Sequence, residues 1–152
     1  ENGGFQQIMA NFAWERLLMS IGAIGAMDRL IEVSVNYAKE RQAFGRPIGS
    51  FQAIRHKIAM MATRTEASRA FAYDTLRRFH EGEVVVREVS MSKLDSQRAL
   101  VDIADEAIQI HGGYGYMREY EVERALRDAR LGPIGGGTDE IMMEIIGKTY
   151  GL

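Results

Sequence analysis

Residues 84–111 read VVVREVSMSKLDSQRALVDIADEAIQIH, an uninterrupted stretch without proline or glycine. Small or apolar side chains recur every three or four residues, which is the spacing of one face of an α-helix. These positions are Val89, Ser92, Ser96, Ala99, Ile103, Ala107 and Ile110. Because most of these side chains are small, the pattern predicts a long helix that packs closely against its neighbours.

Two earlier stretches have the same helical spacing. Residues 5–41 contain no proline, and residues 51–82 follow a turn-forming Gly-Arg-Pro-Ile-Gly segment. Ser50 is the predicted N-cap of the second of these helices. Gly22 and Gly25 lie inside the first, where each costs about 1 kcal/mol relative to alanine. We therefore expect these two glycines to permit a close helix–helix approach.

Glycine clusters divide the last third of the chain. A Gly-Gly-Tyr-Gly segment at 112–115 precedes a short helical stretch over 119–130, and a flexible loop is expected over 132–137. Thr138 is the predicted cap of a final helix, whose first residues are acidic and therefore suit the helix dipole. The predicted fold class is all-α: an antiparallel four-helix-bundle-like domain of three long and two short helices.

Composition narrows the class of protein. The chain has 152 residues, of which 46% are hydrophobic and 26% charged, with a formal net charge of −2. This is the size of one domain with a single core, and it excludes an intrinsically disordered chain. Lys+Arg 19 against Asp+Glu 21 leaves no basic excess for nucleic acid, and the absence of cysteine excludes thiolate chemistry.

Hydropathy indicates where the chain is located, and its first residues indicate whether it is a piece of a longer protein. No stretch of about 18 apolar residues predicts a membrane span, and no signal peptide is recognisable, so we expect an intracellular context. The chain begins Glu1-Asn2-Gly3-Gly4 without an initiator methionine. We expect a piece of a longer protein, with this turn-forming segment near an interdomain boundary.

Familiar metal and nucleotide motifs are not matched. His56, His80 and His111 are too scattered for a metal-ligand spacing, so no metal is expected. Gly113-x-Gly115 follows a helix and lacks the third glycine of a dinucleotide fingerprint. The glycine-rich segment before Thr138 lacks the lysine of a P-loop.

Two residues have alternative interpretations. Glu15 lies among apolar residues of the first helix, where it either points to water or acts as a base whose pKa is raised in an apolar cavity. Arg41, in Arg-Gln-Ala-Phe-Gly, stands at a helix C-terminus, where a cation suits the helix dipole. It is equally suited to hold a phosphate of a cofactor.

Four motifs resemble one family, the acyl-CoA dehydrogenases, which are flavoenzymes that oxidise acyl-CoA thioesters. The motifs are ERQAFG at 40–45 with IGSFQ at 48–52, QIHGGYGY at 109–116, RDAR at 127–130 and GGTDEI at 136–141. They occur in the family's order and spacing, and the resemblance covers residues 1–152. It implies the C-terminal helical domain of such an enzyme, without the N-terminal helical and middle β-domains.

The resemblance implies FAD as the cofactor, bound at a site shared between the subunits of a dimer or a dimer of dimers. The family's Arg-x-x-Phe-Gly and Gln-x-x-Gly-Gly segments contact the partner's FAD, and the start of the last helix contacts FAD in the same subunit. The corresponding cofactor-binding positions are Arg41, Phe44, Gln52, Gln109, Gly112, Gly113, Thr138 and Glu140.

One departure concerns the catalytic base. Many family members place a glutamate where this chain has Gly136, whereas the isovaleryl- and long-chain-like enzymes carry it on the first helix, at the position of Glu15. The resemblance therefore implies Glu15 as the base. Gly136 still offers a backbone N–H to the thioester oxygen. The other positions matched to the substrate are Arg16, Tyr37 and Gly137.

The implied reaction is α,β-dehydrogenation of an acyl-CoA to a trans-2-enoyl-CoA. Glu15 removes the α-proton, the β-hydrogen leaves as hydride to flavin N5, and an electron-transfer flavoprotein takes the electrons. The expected location is the cytoplasm in a bacterium and the mitochondrial matrix in a eukaryote. The alternatives are an acyl-CoA oxidase or other flavoenzyme on this scaffold, and a non-catalytic helical interaction module.

Overall fold

A computed structural model describes residues 4–152 of the chain, with side-chain surroundings from Asn11 onward. The helices and strands, in chain order, are α1 (Gly4–Glu40), β1 (Gln42–Ala43), β2 (Arg46–Pro47), a 3₁₀ helix (Ile48–Ser50), α2 (Gln52–His80), α3 (Val86–His111), a second 3₁₀ helix (Gly112–Tyr116), α4 (Glu121–Ala129) and α5 (Asp139–Lys148). Within the described residues there are thus three long and two short α-helices, which confirms the predicted fold class.

Helices α1 and α3 run parallel to each other. Gln97 of α3 donates a hydrogen bond to the carbonyl of Met19 in α1, with a 2.7 Å separation. Farther along both helices, the ring of Tyr37 stacks on that of His111, with centroids 4.2 Å apart. The contacting residues therefore rise in number along both helices in the same direction, as they must when two helices are parallel.

Helix α2 runs antiparallel to α3. Lys57, near the start of α2, forms an ion pair with Glu106, near the end of α3. Ser68, farther along α2, donates to Asp95, which lies earlier in α3. The contact positions therefore move in opposite directions, as expected for helices joined by the short connection of residues 81–85.

Helices α4 and α5 lie end to end along α3 and together take the fourth position of the bundle. The ring of Tyr120 lies beside the last residue of α3, so α4 begins at that end. Asp139, the first residue of α5, pairs with Arg98 at 2.7 Å. Tyr150, just beyond α5, reaches Arg87 in the first turn of α3. Both short helices are therefore antiparallel to α3.

The core lies around the face of α3 that the sequence predicts. All seven predicted positions of that face, from Val89 to Ile110, are at most 4% exposed. Ile24, Met27 and Leu30 of α1 pack against them in one hydrophobic cluster. The small side chains of α3 thus admit a close approach of α1, as expected. No helix within residues 4–152 combines the length and apolar character needed to cross a membrane.

The expectation for Gly22 and Gly25 is wrong. Both glycines are exposed, and a β-carbon built on either would meet nothing within 4 Å. Successive residues of an α-helix turn by about 100°, so these two project from a different side than Ala23 and Met27, which are buried. The close contact of α1 is therefore made by its apolar residues and not by its glycines.

Of the two predicted helix caps, one is confirmed and one is wrong. The Thr138 hydroxyl accepts a hydrogen bond from the N–H of Ile141 at 3.4 Å, as expected of an N-cap. Ser50 does not cap α2, because its hydroxyl donates to the Pro47 carbonyl at 2.7 Å within the 3₁₀ turn. Phe51 takes the cap position, without a side-chain bond.

A two-residue turn, Phe44 and Gly45, joins β1 to β2. Both residues have positive φ, 53° and 78°, as in the hairpin turns that suit the twist of paired strands. Glycine adopts this conformation readily, whereas phenylalanine does so at a steric cost. The Phe44 side chain is nevertheless 95% exposed. The hairpin thus holds a large ring in solvent at a strained position.

Candidate functional site

Two buried cations hold the loop before α5, residues 135–138, which we call the glycine loop. Arg16 Nε of α1 donates to the carbonyl of Gly136 at 2.9 Å, although the two residues are 120 positions apart in the chain. Lys93 Nζ of α3 donates to the carbonyl of Gly137 at 2.7 Å. Arg16 is 7% exposed and Lys93 is fully buried. The loop is therefore attached to the inside of the bundle through two successive carbonyls.

The backbone of the glycine loop has a conformation that favours glycine. The φ angles of Gly136 and Gly137 are 65° and 102°. Within the described residues, the N–H groups of Gly136, Gly137 and Thr138 have no hydrogen-bond acceptor. Three consecutive amide donors are thus available to a ligand, next to carbonyls that are already satisfied.

Glu15 precedes Arg16, one of the two loop anchors, on α1. It is exposed, and Asn11 Nδ2 donates to its Oε1 at 2.6 Å. Met19 follows Glu15 by one helical turn on the same face. The Met19 sulfur lies 2.6 Å from the position of a β-carbon on Gly136. Glu15 therefore stands one helical turn from the side chain that meets position 136 of the loop.

The start of α5 adds polar groups beside the glycine loop. Asp139 is 5% exposed and accepts a hydrogen bond from Arg98 Nε at 2.7 Å through Oδ2. Thr138 caps the helix, and Glu140 is exposed. A backbone N–H at the helix start and the Thr138 hydroxyl hold the pKa of Glu140 below its usual value. The carboxylate thus stays ionised near the loop.

A second site lies at the far end of the bundle, where α1 and α3 end. A groove of about 540 Å³ runs along Tyr37, Arg41, Ile48, Ile110, His111, Gly112, Gly113, Tyr114 and Met117. Gly112 has a φ of 60°, and a β-carbon on either of the adjacent glycines would meet nothing within 4 Å. The backbone there is open to close approach by a ligand.

Arg41 supplies the positive charge of this groove. Its guanidinium lies over the ring of Tyr114, 5.2 Å from the centroid. Among the residues that the structure describes, no carboxylate pairs with it. An exposed arginine without an acidic partner, beside open glycine backbone, is suited to bind an anion such as a phosphate.

His111 forms the floor of the groove and is 5% exposed. Its ring stacks on that of Tyr37, and its Nδ1 lies 2.7 Å from the Ala107 carbonyl. The Tyr37 hydroxyl donates to the His111 carbonyl at 3.2 Å. Burial lowers the pKa of His111, although the Ala107 carbonyl and Glu121 act in the opposite direction. The folded chain therefore favours the neutral form of the histidine more than the unfolded chain does.

The structure divides the predicted site residues into two groups. Glu15, Arg16, Gly136, Gly137, Thr138 and Glu140 lie around the glycine loop, whereas Arg41, Gly112, Gly113 and Tyr37 line the groove. Lys93 and His111 mark the two regions and are 18 residues apart on α3, which corresponds to about 27 Å along the helix. Tyr37, predicted to lie near the substrate, is thus placed with Arg41 and away from Arg16.

The remaining predicted cofactor residues are solvent-exposed near the groove end. Phe44 stands at the hairpin tip, edge-on to Phe51 with centroids 6.1 Å apart. Gln52 begins α2, and Gln109 lies in the last turn of α3, where its carbonyl accepts the N–H of Gly112. Neither glutamine side chain lines the groove, and both are free to meet a second molecule.

Sequence reasoning missed Lys93, which has a recognisable signal. It lies four residues after Val89 and three before Ser96, inside the buried face of α3. A lysine within a stripe of small and apolar residues is unusual, since lysine is almost never fully buried without a partner. The partner is a loop carbonyl more than 40 residues away, which periodicity does not reveal.

The structure is thus a helical bundle with a glycine loop anchored to its interior and a groove lined by Arg41 where α1 and α3 end. The family model described as "Acyl-CoA dehydrogenase, C-terminal domain" matches residues 2–151. The chain belongs to this family, which confirms the resemblance seen in its motifs.

Individual relatives agree with this assignment. An acyl-CoA dehydrogenase of Bacillus subtilis is 44% identical over 148 residues, which cover 97% of this chain and 39% of that protein. The mitochondrial isovaleryl-CoA dehydrogenase of Oryza sativa is 40% identical, covering 97% of this chain and 36% of the relative. A probable acyl-CoA dehydrogenase from Mycobacterium abscessus superposes with a TM-score of 0.96 at 45% identity, over 99% of this chain and 40% of that structure. The chain spans about two fifths of the length of these relatives.

Proposed function

We propose that this chain is the C-terminal domain of an FAD-dependent enzyme that converts an acyl-CoA thioester to the trans-2-enoyl-CoA, with Glu15 as the base. The observation that carries the proposal is the position of Glu15. It stands one turn from Met19, whose sulfur occupies the space where a side chain at Gly136 would begin. The base thus lies on α1, beside the glycine loop.

The groove fits part of a flavin dinucleotide. The open backbone at Gly112 and Gly113 permits close approach of a ligand. The positive charge of Arg41 is complementary to the negative charge of a pyrophosphate. Thr138 and Glu140 are the residues of the glycine-loop region assigned to FAD. When bound, FAD accepts the β-hydrogen of the substrate as hydride.

The separation of the two regions supports a shared cofactor site. The groove and the glycine loop are about 27 Å apart along α3. We assign them to different flavins: Thr138 and Glu140 contact the flavin of their own subunit, and Arg41 contacts that of a second copy. A homo-oligomer follows, because each site is incomplete without its partner.

The chain's own groups perform the proton chemistry. The Glu15 carboxylate takes the α-proton of the acyl-CoA, which leaves negative charge on the thioester oxygen. The free N–H of Gly136 donates to that oxygen, and preorganised donors of this kind stabilise the developing charge. An electron-transfer flavoprotein is the proposed acceptor of the electrons that the bound flavin would take up. The proposed location is the mitochondrial matrix or, in a bacterium, the cytoplasm.

Substitution of Glu15 in the full-length protein tests this proposal. The Glu15→Gln holoenzyme is expected to bind acyl-CoA but to lose the anaerobic bleaching of its flavin, with the reduction rate falling at least about 10²-fold. Glu32→Gln is the matched control, since Glu32 is an exposed glutamate of α1 that pairs with Arg29. Near-normal bleaching in Glu15→Gln contradicts the assignment of the base.

Two further readings of the same experiment separate the alternatives. Peroxide release during aerobic turnover indicates an oxidase, because a dehydrogenase passes its electrons to a protein acceptor. A colourless full-length protein that does not bind acyl-CoA indicates a non-catalytic interaction module, and it contradicts the proposed function as a whole.

A further inference from the structure

Lys93 is the most deeply buried charged side chain of the bundle. Its residue exposure is 0%, although lysine ordinarily keeps its amino group in water. Burial of an ammonium group costs free energy unless polar groups compensate for it. Among the described residues, its side chain has one hydrogen-bond partner, the carbonyl of Gly137. One hydrogen bond to a loop carbonyl does not by itself account for the burial of a lysine, so we ask what this bond does for the loop.

The charged groups around Lys93 do not neutralise it directly. Asp139 is the nearest acidic influence, but its Oδ2 accepts from Arg98 and it forms no ion pair with Lys93. Arg16 is a second buried cation on the same loop. Burial lowers the pKa of Lys93, Arg16 lowers it further, and Asp139 raises it. The amino group donates to the carbonyl in either protonation state.

Holding a carbonyl also fixes the amide that belongs to the same peptide plane. In a trans peptide, C=O and N–H point in opposite directions. Lys93 therefore turns the N–H of Thr138 away from the bundle interior, and Arg16 does the same for the N–H of Gly137 through the Gly136 carbonyl. Glycine φ angles of 65° and 102° give the loop little intrinsic preference for this arrangement.

We propose that Lys93 is a positioning residue, which together with Arg16 fixes the two successive peptide planes that follow Gly136 and thereby holds the adjoining N–H of Gly136 in place for the thioester oxygen of the substrate. This inference rests on the proposed function, which assigns the N–H of Gly136 to the thioester oxygen of the acyl-CoA. Lys93 does not touch the substrate. It acts by keeping the donors preorganised, so that no reorganisation is needed when charge develops.

The test uses the full-length holoenzyme with Lys93→Met, which keeps an unbranched side chain one atom shorter and removes its donor. Flavin reduction by acyl-CoA is expected to slow about 10- to 100-fold, less than or near the loss for a deleted oxyanion donor. The Kd for acyl-CoA should change less than about threefold, because the anchor acts mainly on the transition state. Stopped-flow absorbance gives both quantities.

A second readout does not depend on turnover. A 3-thia-acyl-CoA, which has an acidic α-proton and is not dehydrogenated, reports α-proton removal by its absorbance beside the flavin. The pH midpoint of that absorbance is expected to rise in Lys93→Met, since misplaced amides stabilise the enolate less. A purely structural role would lower thermal stability and leave this midpoint unchanged, which overturns the proposal.

Control variants separate positioning from general destabilisation. Lys57→Met removes a lysine that pairs with Glu106 outside the loop, and Ile103→Val weakens the core around α3. Both should keep the wild-type rate and pH midpoint. If Lys93→Met does not fold, Lys93→Gln, with a shorter polar side chain, takes its place and is expected to lose rate in the same direction.

The outcomes distinguish this inference from the function on which it rests. A wild-type holoenzyme that no acyl-CoA reduces contradicts the proposed function, and the role of Lys93 falls with it. A wild-type enzyme that is reduced, with folded Lys93→Met or Lys93→Gln retaining its rate and midpoint, contradicts the positioning role alone.

Discussion

The sulfur of Met19 lies 2.6 Å from the point at which a β-carbon on Gly136 would stand. Side chains essentially never approach a β-carbon so closely, so a side chain at position 136 can be accommodated only if the flexible end of Met19 moves. Glu15 precedes Met19 by one turn of the same helix.

Gly136→Ala tests this steric relationship. The alanine meets two costs: its φ of 65° is unfavourable by about 1–2 kcal/mol, and its methyl group collides with Met19. We expect the free energy of unfolding to fall by about 2–3 kcal/mol in denaturant titrations. In a Met19→Ala background the collision disappears, so Gly136→Ala should then cost only about 1–2 kcal/mol.

Gly25→Ala is the matched control for this cycle. Gly25 is helical, exposed and free of neighbours within 4 Å, so alanine there should stabilise the chain by up to about 1 kcal/mol. Equal losses at Gly25 and Gly136, or a loss at Gly136 that Met19→Ala does not reduce, contradict the steric explanation.

Much of the fold is predictable from local pattern. The seven small or apolar positions of α3 predict its buried face correctly, because a 3.6-residue period determines which side of a helix packs. The same reasoning fails for Gly22 and Gly25. Propensity shows that glycine is costly in a helix, but only the packed structure shows that these two face open space.

The sequence predicts which residues belong to the candidate site, but it does not predict how they are arranged in space. Motif spacing selects Glu15, Arg41 and Gly136, but it does not show that Arg41 lies far along the bundle from the other two. The two contacts that anchor the glycine loop also escape prediction, although Arg16 itself is a predicted position. Each is a contact between residues distant in the chain, so the periodicity that marks Lys93 as unusual on the buried face of α3 does not reveal which group it binds.

Arg41→Gln should weaken flavin binding by the full-length protein. The substitution removes the positive charge of the groove and keeps a polar side chain of moderate length. Charge-assisted hydrogen bonds contribute about 1.5–3 kcal/mol, so the Kd for FAD is expected to rise about 10- to 100-fold. Titration of the apoprotein by flavin fluorescence measures this change.

Arg77→Gln is the matched control for Arg41. Arg77 pairs with Asp74 and Glu81 at the exposed end of α2, and surface pairs of this kind contribute little. Its variant should keep the wild-type Kd for FAD. A similar loss in both variants indicates a general charge effect, and no loss in Arg41→Gln contradicts its assignment to the cofactor.

Because His111 is buried, we expect the free energy of unfolding to fall in mild acid. Burial holds its pKa below the unfolded value near 6.5, so between these two pKa values the unfolded chain binds more protons than the folded chain. Stability therefore rises with pH through that window and falls as the pH drops below about 6.5. His111→Phe keeps a ring against Tyr37 and should remove this component of the pH dependence.

Thermal unfolding at pH 7.5 and 5.5 measures the effect of His111. The difference in Tm between the two pH values should be smaller in His111→Phe than in the wild type. His56→Phe is the control, since His56 is exposed on α2 and meets solvent in both states. An unchanged difference in His111→Phe contradicts the role of the buried histidine.

Phe44→Asn should separate stability from cofactor binding. The ring is 95% exposed, so its removal costs little burial, and asparagine tolerates a φ of 53° better than phenylalanine. We expect the free energy of unfolding to stay constant or rise by up to about 1 kcal/mol. The affinity of the full-length protein for FAD should nevertheless fall, because a strained and exposed aromatic residue is suited to a contact outside its own chain.

Val84→Asn is the control for this prediction. It replaces another apolar side chain that is 89% exposed, in the turn before α3, and should leave FAD binding unchanged. A Phe44→Asn variant that loses stability and keeps its FAD affinity assigns the ring to the hairpin and not to the cofactor.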